Sequence, residues 1–227
     1  IYSSVKGLSG ILVDGYADIY NATIKNNSVD GIYLDEGTVN FYGGTIKNNK
    51  AYGIFMRYGI HGTNALNIYG GTITGNGLYS YTSETGETLG GGVCNRSSKL
   101  NIYGGTISRN YGSYGGGVNS NGEFNFYGGS INNNTAKIGG GIYAEGDFNM
   151  FGGQIKNNTA IENGGGVYAT KANLNIKGNV TISNNDKNNV ANNFYLYNSS
   201  RSTTQLNITG GLTGGNIGVT SSNVKLN

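Results

Sequence analysis

Apolar residues along this chain recur at every second position over short runs rather than at helical spacing. Leu100, Ile102 and Ile107 form one such set, and Leu66, Ile68 and Ile73 form another. Period-two alternation predicts short strands with one buried face. Pairs of glycine break each strand from the next. No stretch offers ten helix-forming residues free of glycine or of an asparagine pair, so helices are not expected.

The strands belong to a repeat. One phrase recurs as FYGGTI (41–46), IYGGTI (68–73 and 102–107), FYGGSI (126–131) and MFGGQI (150–155), with weaker copies at 19–24, 176–182 and 208–212. A second phrase alternates with it: DGIYL (30–34), YGIFM (52–56), GGGVC (90–94), GGGVN (115–119), GGGIY (139–143) and GGGVY (164–168). The last Ile of the first phrase serves as a marker. It falls at Ile24, Ile46, Ile73, Ile107, Ile131, Ile155 and Ile182, with successive spacings of 22, 27, 34, 24, 24 and 27 residues. A unit of 22 to 24 residues carrying three short strands, stacked on copies of itself, predicts an all-β, single-stranded parallel β-helix. With neighbouring strands ~4.8 Å apart, about eight such coils would make a rod roughly 40 Å long.

The columns of such a coil can be read directly. Val39, Leu66, Leu100, Phe124, Phe148 and Leu174 point inward, as do Phe41, Ile68, Ile102, Phe126, Met150 and Ile176. Three residues after each marker stands an asparagine: Asn27, Asn49, Asn76, Asn110, Asn134, Asn158 and Asn185. Asparagine tolerates the left-handed backbone of a tight bend, and stacked amides can hydrogen-bond along an axis. Proline is absent, as expected where each strand N–H is needed by a neighbour.

Composition narrows the function. The 227 residues include 42 Gly, 18 Tyr, one Cys and one His, with 12% charged residues and a net charge of +3. Few charges with many aromatics oppose disorder. One Cys excludes a disulfide framework and any Cys-based zinc site, and one His excludes multi-His metal centres. No Asp recurs with the glycine runs, so calcium-binding nonapeptides are absent, and nothing calls for a metal or a cofactor. The thin positive charge gives no nucleic-acid footprint, and no apolar run approaches the ~20 residues of a membrane helix. The chain opens at Ile1 without a signal peptide, which reads as a processed product or an excised segment. It is expected to be one domain over 1–227, with 1–16 and 198–227 as irregular or capping coils.

The GG[TSQ]I phrase, the asparagine behind it and the GGG[VI]Y phrase resemble the right-handed parallel β-helix repeats of bacterial surface proteins. They are similar to the GGAI-type repeats of polymorphic outer-membrane proteins and to adhesin-like proteins of gut bacteria and clostridia. The resemblance covers roughly residues 15–212. It implies a right-handed solenoid, an extracellular, secreted or cell-wall-associated location, and an adhesin-like role.

Candidate chemistry lies on the outside of the coil. Parity places Asn40, Asn67, Asn101, Asn125, Asn149 and Asn175 beside Tyr20, Tyr42, Tyr69, Tyr103, Tyr127 and Phe151. Aromatic faces beside amides suit sugar rings, so Tyr69, Tyr103, Tyr127, Asn101 and Asn125 are candidate binding residues. The bland alternative is that stacked rings only hold the coils together. A second aromatic column (Tyr33, Phe55, Tyr143, Tyr168) is interrupted by Cys94 and Asn119. Two insertions depart from the repeat, at 57–63 and 77–90, on adjoining coils. Loops of this kind often carry recognition, which makes Arg57, Tyr58, His61, Tyr79, Tyr81, Glu84 and Glu87 a second candidate group.

Catalysis has one candidate register. Lys99, Glu123 and Asp147 each lie eight residues before a marker, and Glu123 and Asp147 on adjacent coils would be ~5 Å apart, near the spacing of a retaining glycosidase. A salt-bridged turn of Lys99 and Glu123 explains the same residues, and the clustered Asp, Arg and Lys sets of β-helix lyases are missing. Ice binding would use the column Thr23, Thr45, Thr72, Thr106 and Thr181, which Ser130 and Gln154 interrupt. The reading is therefore a monomeric, non-enzymatic binding module for a host glycan or surface protein. A carbohydrate-active enzyme and a passive stalk are the alternatives.

Overall fold

The computed structural model describes residues 9–59, 64–77, 91–198, 203–209 and 216–217. Every regular element among them is a strand. One repeat shows the path. Phe124–Phe126 forms the first side, Ser130–Asn132 follows across the glycine pair, Thr135–Ile138 makes the next side, and Ile142–Ala144 closes the coil. Each strand pairs in parallel with the equivalent strand one coil away, as Phe124↔Phe148, Ser130↔Gln154 and Ile142↔Val167 illustrate. The markers align in a single column from Ile24 through Ile46, Ile73, Ile107, Ile131 and Ile155 to Ile182, and Ile217 pairs beyond it. The solenoid has about seven turns, one fewer than the spacing suggests, with Gln205–Ile208 and Asn216–Ile217 starting a further one.

Alternation puts one hydrophobic cluster along the axis, from Val13 to Leu196. Phe41, Phe124, Phe126, Phe148 and Phe194 are its largest fully buried members. Glycine does not always end a strand. Phe148–Lys156 runs through Gly152 and Gly153, with a register shift at the pair that lets the sheet turn without breaking. Ile11–Ile19, part of which falls in the segment expected to be irregular or a capping coil, is a strand paired with Ile32–Phe41, with a register shift between Val13 and Asp14.

The buried asparagine column is a continuous ladder. From Asn27 through Asn49, Asn76, Asn110, Asn134 and Asn158 to Asn185, each Nδ2 donates to the Oδ1 of the next coil's asparagine at 2.7 to 3.0 Å, the Asn110–Asn134 bond reaching 3.1 Å. Each backbone N–H of the column donates to the same oxygen. The second Nδ2 hydrogen donates to the marker carbonyl of the preceding coil, as Asn134 does to Ile107 at 2.9 Å. The left-handed position is the residue before: Asn26, Asn48, Arg109, Asn133, Asn157 and Asn184 have φ between 54° and 59°. This corrects the expectation that a single asparagine column makes both the bend and the ladder.

The last glycine of each second phrase is wedged between this ladder and the backbone of the next coil. A Cβ on Gly117 would lie 2.6 Å from the Gly141 carbonyl oxygen, 2.7 Å from Ile131 Cγ2 and 3.0 Å from Asn134 Nδ2. The ladder ends at a small antiparallel hairpin, Asp186–Lys187 with Val190–Ala191, turned by Asn188 and Asn189 at positive φ. Asn193 then returns to accept from Asn185 at 2.9 Å, capping the column from within the same coil.

Asn134→Ala removes the acceptor of two N–H groups and the donor to Ile107, and leaving buried polar groups unpaired costs ~1–3 kcal/mol each. Urea unfolding is expected to show a loss of about 3 kcal/mol or more. Asn133→Gly, one residue away at a left-handed position, is expected to change stability by less than about 1 kcal/mol.

Candidate functional site

The outward residues of the first side alternate with Phe124 and Phe126, so Glu123, Asn125 and Tyr127 share one surface. The tyrosines form a straight stack. Ring centroids are 4.6 Å apart for Tyr20–Tyr42, 4.8 Å for Tyr42–Tyr69, 4.9 Å for Tyr69–Tyr103 and 4.8 Å for Tyr103–Tyr127, with planes within 8° of parallel. Phe151 extends the stack 5.0 Å beyond Tyr127, and Lys177 Nζ sits 4.9 Å from its ring centre as a cation–π cap.

This geometry changes what the strip can do. The faces that a sugar ring would pack on are turned toward neighbouring rungs. Ring edges and hydroxyls face solvent instead. Tyr69, Tyr103 and Tyr127 remain 43%, 43% and 42% exposed. None of the five phenol oxygens of the stack has a hydrogen-bond partner among the described residues, whereas the phenol of Tyr16 accepts from Asn40 at 2.7 Å.

The neighbouring amides are not free groups. Asn101 and Asn125 are 7% and 4% exposed. The column forms a second ladder in which Asn67, Asn101, Asn125, Asn149, Asn175 and Asn207 each donate Nδ2 to the Oδ1 of the coil before, at 2.8 to 3.1 Å. Asn101 and Asn125 are therefore corrected from ligand-facing groups to the buried floor beside the tyrosines. Parity identifies an outward residue but cannot tell that flanking side chains cover it.

The second aromatic column is longer than the repeat phrases suggest. Tyr195 extends Tyr143 and Tyr168, with centroids 5.3 Å apart at each step. Burial pushes the Tyr168 phenol up to about 12. The interruption at Cys94 is a small apolar cluster of Ala51, Tyr52 and Cys94 outside the main core. Burial pushes the Cys94 thiol up to about 11, so it is a poor nucleophile there. Asn119 Oδ1, the other interruption, has no partner among the described residues.

Of the insertion residues, Arg57 and Tyr58 are placed, whereas His61, Tyr79, Tyr81, Glu84 and Glu87 lie outside the described residues. Arg57 pairs with Asp35 at 2.7 Å. Asn64 Nδ2 holds the bulge by donating to the carbonyls of Asp35 and Arg57. Tyr58 stands 65% exposed beside this anchor.

The carboxylate pair resolves into a charged edge. Lys99 Nζ lies 3.2 Å from Glu123 Oε1, which also accepts from Asn125 Nδ2 at 2.7 Å. The Asn125 bond, with Lys99 beside it, holds the Glu123 carboxyl below its ordinary value. That direction opposes a general acid, which needs a raised value. Among the described residues no group of three or more His, Cys, Asp or Glu could hold a metal ion, and no helix is long and apolar enough to cross a membrane.

Among the described residues one carboxylate is buried. Asp30 opens the second phrase, is 3% exposed, and accepts from the Tyr52 backbone N–H at 3.0 Å. No cation pairs with it among the described residues, and burial pushes its carboxyl up to about 7.

Residues 9–180 match the family described as a right-handed beta helix region, and the chain belongs to that family. No curated protein and no solved structure matches it.

Because the folded-state value of Asp30 is raised, its stabilising neutral form is fully present below the ordinary carboxylate value of 3.8 and is lost as pH rises through about 7. Thermal melts from pH 4 to pH 8 are expected to fall over that window. Asp30→Asn keeps the Tyr52 bond, so it should flatten the slope and raise stability at pH 8 by a few kcal/mol, since each tenfold change in proton affinity is worth ~1.4 kcal/mol.

Proposed function

We propose that this chain is an adhesin-like binding module of a secreted or surface-attached bacterial protein. It is not an enzyme, it acts as a monomer, and it recognises a host glycan or surface protein along the tyrosine strip. The observation that carries this reading is the row of five stacked tyrosines with exposed, unpaired hydroxyls. Stacking alone accounts for the rings, since Phe151 also occupies a rung, 5.0 Å from Tyr127 and tilted by 25°. It gives no account of why five of the six rungs carry a hydroxyl. Regularly spaced phenols on a straight, rigid face suit a linear polymer rich in hydroxyls or amides, lying parallel to the axis and bonded at several rungs. The right-handed β-helix fold is compatible with adhesins and with carbohydrate-active enzymes alike. The lowered Glu123 carboxyl and its ion pair favour the former.

A glycan-array and host-protein screen with the intact chain tests the reading. Replacing Tyr103 and Tyr127 by Phe keeps both rings in the stack and removes two hydroxyls. At ~0.5–1.5 kcal/mol per hydrogen bond, affinity should fall about 5- to 150-fold with the melting temperature unchanged. Undiminished binding would move recognition to the insertions at 57–63 and 77–90, and shortening 77–90 should then abolish it. If the intact chain binds nothing, the segment is a stalk and the proposal fails.

A further inference from the structure

We propose that the tyrosine strip is a site of oxidative cross-linking, in which neighbouring rungs are joined covalently by a peroxidase using hydrogen peroxide. The proposal is independent of any ligand on the strip. Four successive pairs, Tyr20–Tyr42, Tyr42–Tyr69, Tyr69–Tyr103 and Tyr103–Tyr127, hold their rings parallel with centroids no more than 4.9 Å apart. Their outer edges are open, so a small oxidant reaches the phenols and the rings can swing outward. A phenoxyl radical in free solution must meet a second one by diffusion. Here the second phenol is held beside the first by the backbone, which turns the coupling into an effectively intramolecular step.

The chemistry balances without further components. Each of two phenols loses one electron and its hydroxyl proton. The two phenoxyl radicals join through ring carbons ortho to oxygen, forming one carbon–carbon bond. Each ring then shifts its ortho hydrogen to oxygen as a proton and regains aromaticity. Hydrogen peroxide accepts the two electrons and two protons and leaves as two waters. The product is one dityrosine, lighter than the parent chain by two hydrogen atoms.

Placement in the fold limits the reaction. Phe151 has no phenol, so Tyr127 can couple only toward Tyr103. Five tyrosines in a row allow at most two separate pairwise links. The other stack, Tyr143, Tyr168 and Tyr195, is less accessible, and burial raises the Tyr143 and Tyr168 phenols. Each link would join consecutive coils and restrict the unfolded chain as a disulfide does.

The test compares two double variants of the full chain that each lose two tyrosines. Tyr42→Phe/Tyr103→Phe leaves Tyr20, Tyr69 and Tyr127 with no tyrosine neighbour in the strip. Tyr20→Phe/Tyr127→Phe leaves Tyr42, Tyr69 and Tyr103 contiguous. After treatment with peroxidase and hydrogen peroxide at low protein concentration, wild type should give monomers lighter by two or four hydrogens, and the second variant monomers lighter by two. Their dityrosine should map to the strip, and they should melt at a higher temperature. The first variant should yield no strip link. Equal strip linking in the two variants, or covalent dimers as the only dityrosine product, would overturn the proposal.

Discussion

A buried carboxamide with every hydrogen-bonding atom in use is the interaction on which this solenoid depends. In the ladder that includes Asn110 and Asn134, Oδ1 accepts two bonds from the coil before. One Nδ2 hydrogen goes to the coil after, and the other goes back to a marker carbonyl. An amide has two donor hydrogens and two acceptor lone pairs, so nothing is left unpaired at a position that water cannot reach. An apolar side chain there would leave backbone N–H groups buried without partners, and a charged one would lack a counter-ion. The residue type is therefore dictated, and so is the spacing at which consecutive coils stack.

The rest of the architecture follows from that spacing. The GGG phrase brings backbone over the ladder so closely that no Cβ fits at Gly117. The marker isoleucines fill the volume beneath. On the opposite side of the coil wall the same repeat distance puts tyrosine rings at stacking separation, so the strip is a product of interior constraints as much as of any ligand. Its hydroxyls are the part that the interior does not require. Solvent exposure and chemistry therefore meet at the phenol oxygens rather than at the ring faces.

The coil, its inward columns and the asparagine ladder are legible in the sequence because each recurs at a fixed offset from Ile24, Ile46 and their successors. What repetition cannot reveal is how neighbouring columns shield each other. Asn125 and Tyr127 have the same parity, yet one is nearly inaccessible and the other open. Nor does it reveal orientation, since a tyrosine column reads alike whether its rings face outward or stack. The bend falls one residue before the ladder position, a distinction hidden because Asn133 and Asn134 are the same residue type performing different tasks. Features present only once, such as the buried Asp30 and the Asn188–Asn189 hairpin, have no repeat to announce them.

The ladder also determines how the molecule responds to mechanical load. Bonds between coils run along the axis, and tension applied at the two ends of the described solenoid acts on its terminal coils first. Coils would then peel away one after another instead of shearing together. A typical 24-residue coil, such as the one from Ile131 to Ile155, frees roughly 80 Å of extended chain as it opens. A short rod of this design is thus a compact store of extensible length, able to lengthen stepwise under tension while the remaining coils keep their shape.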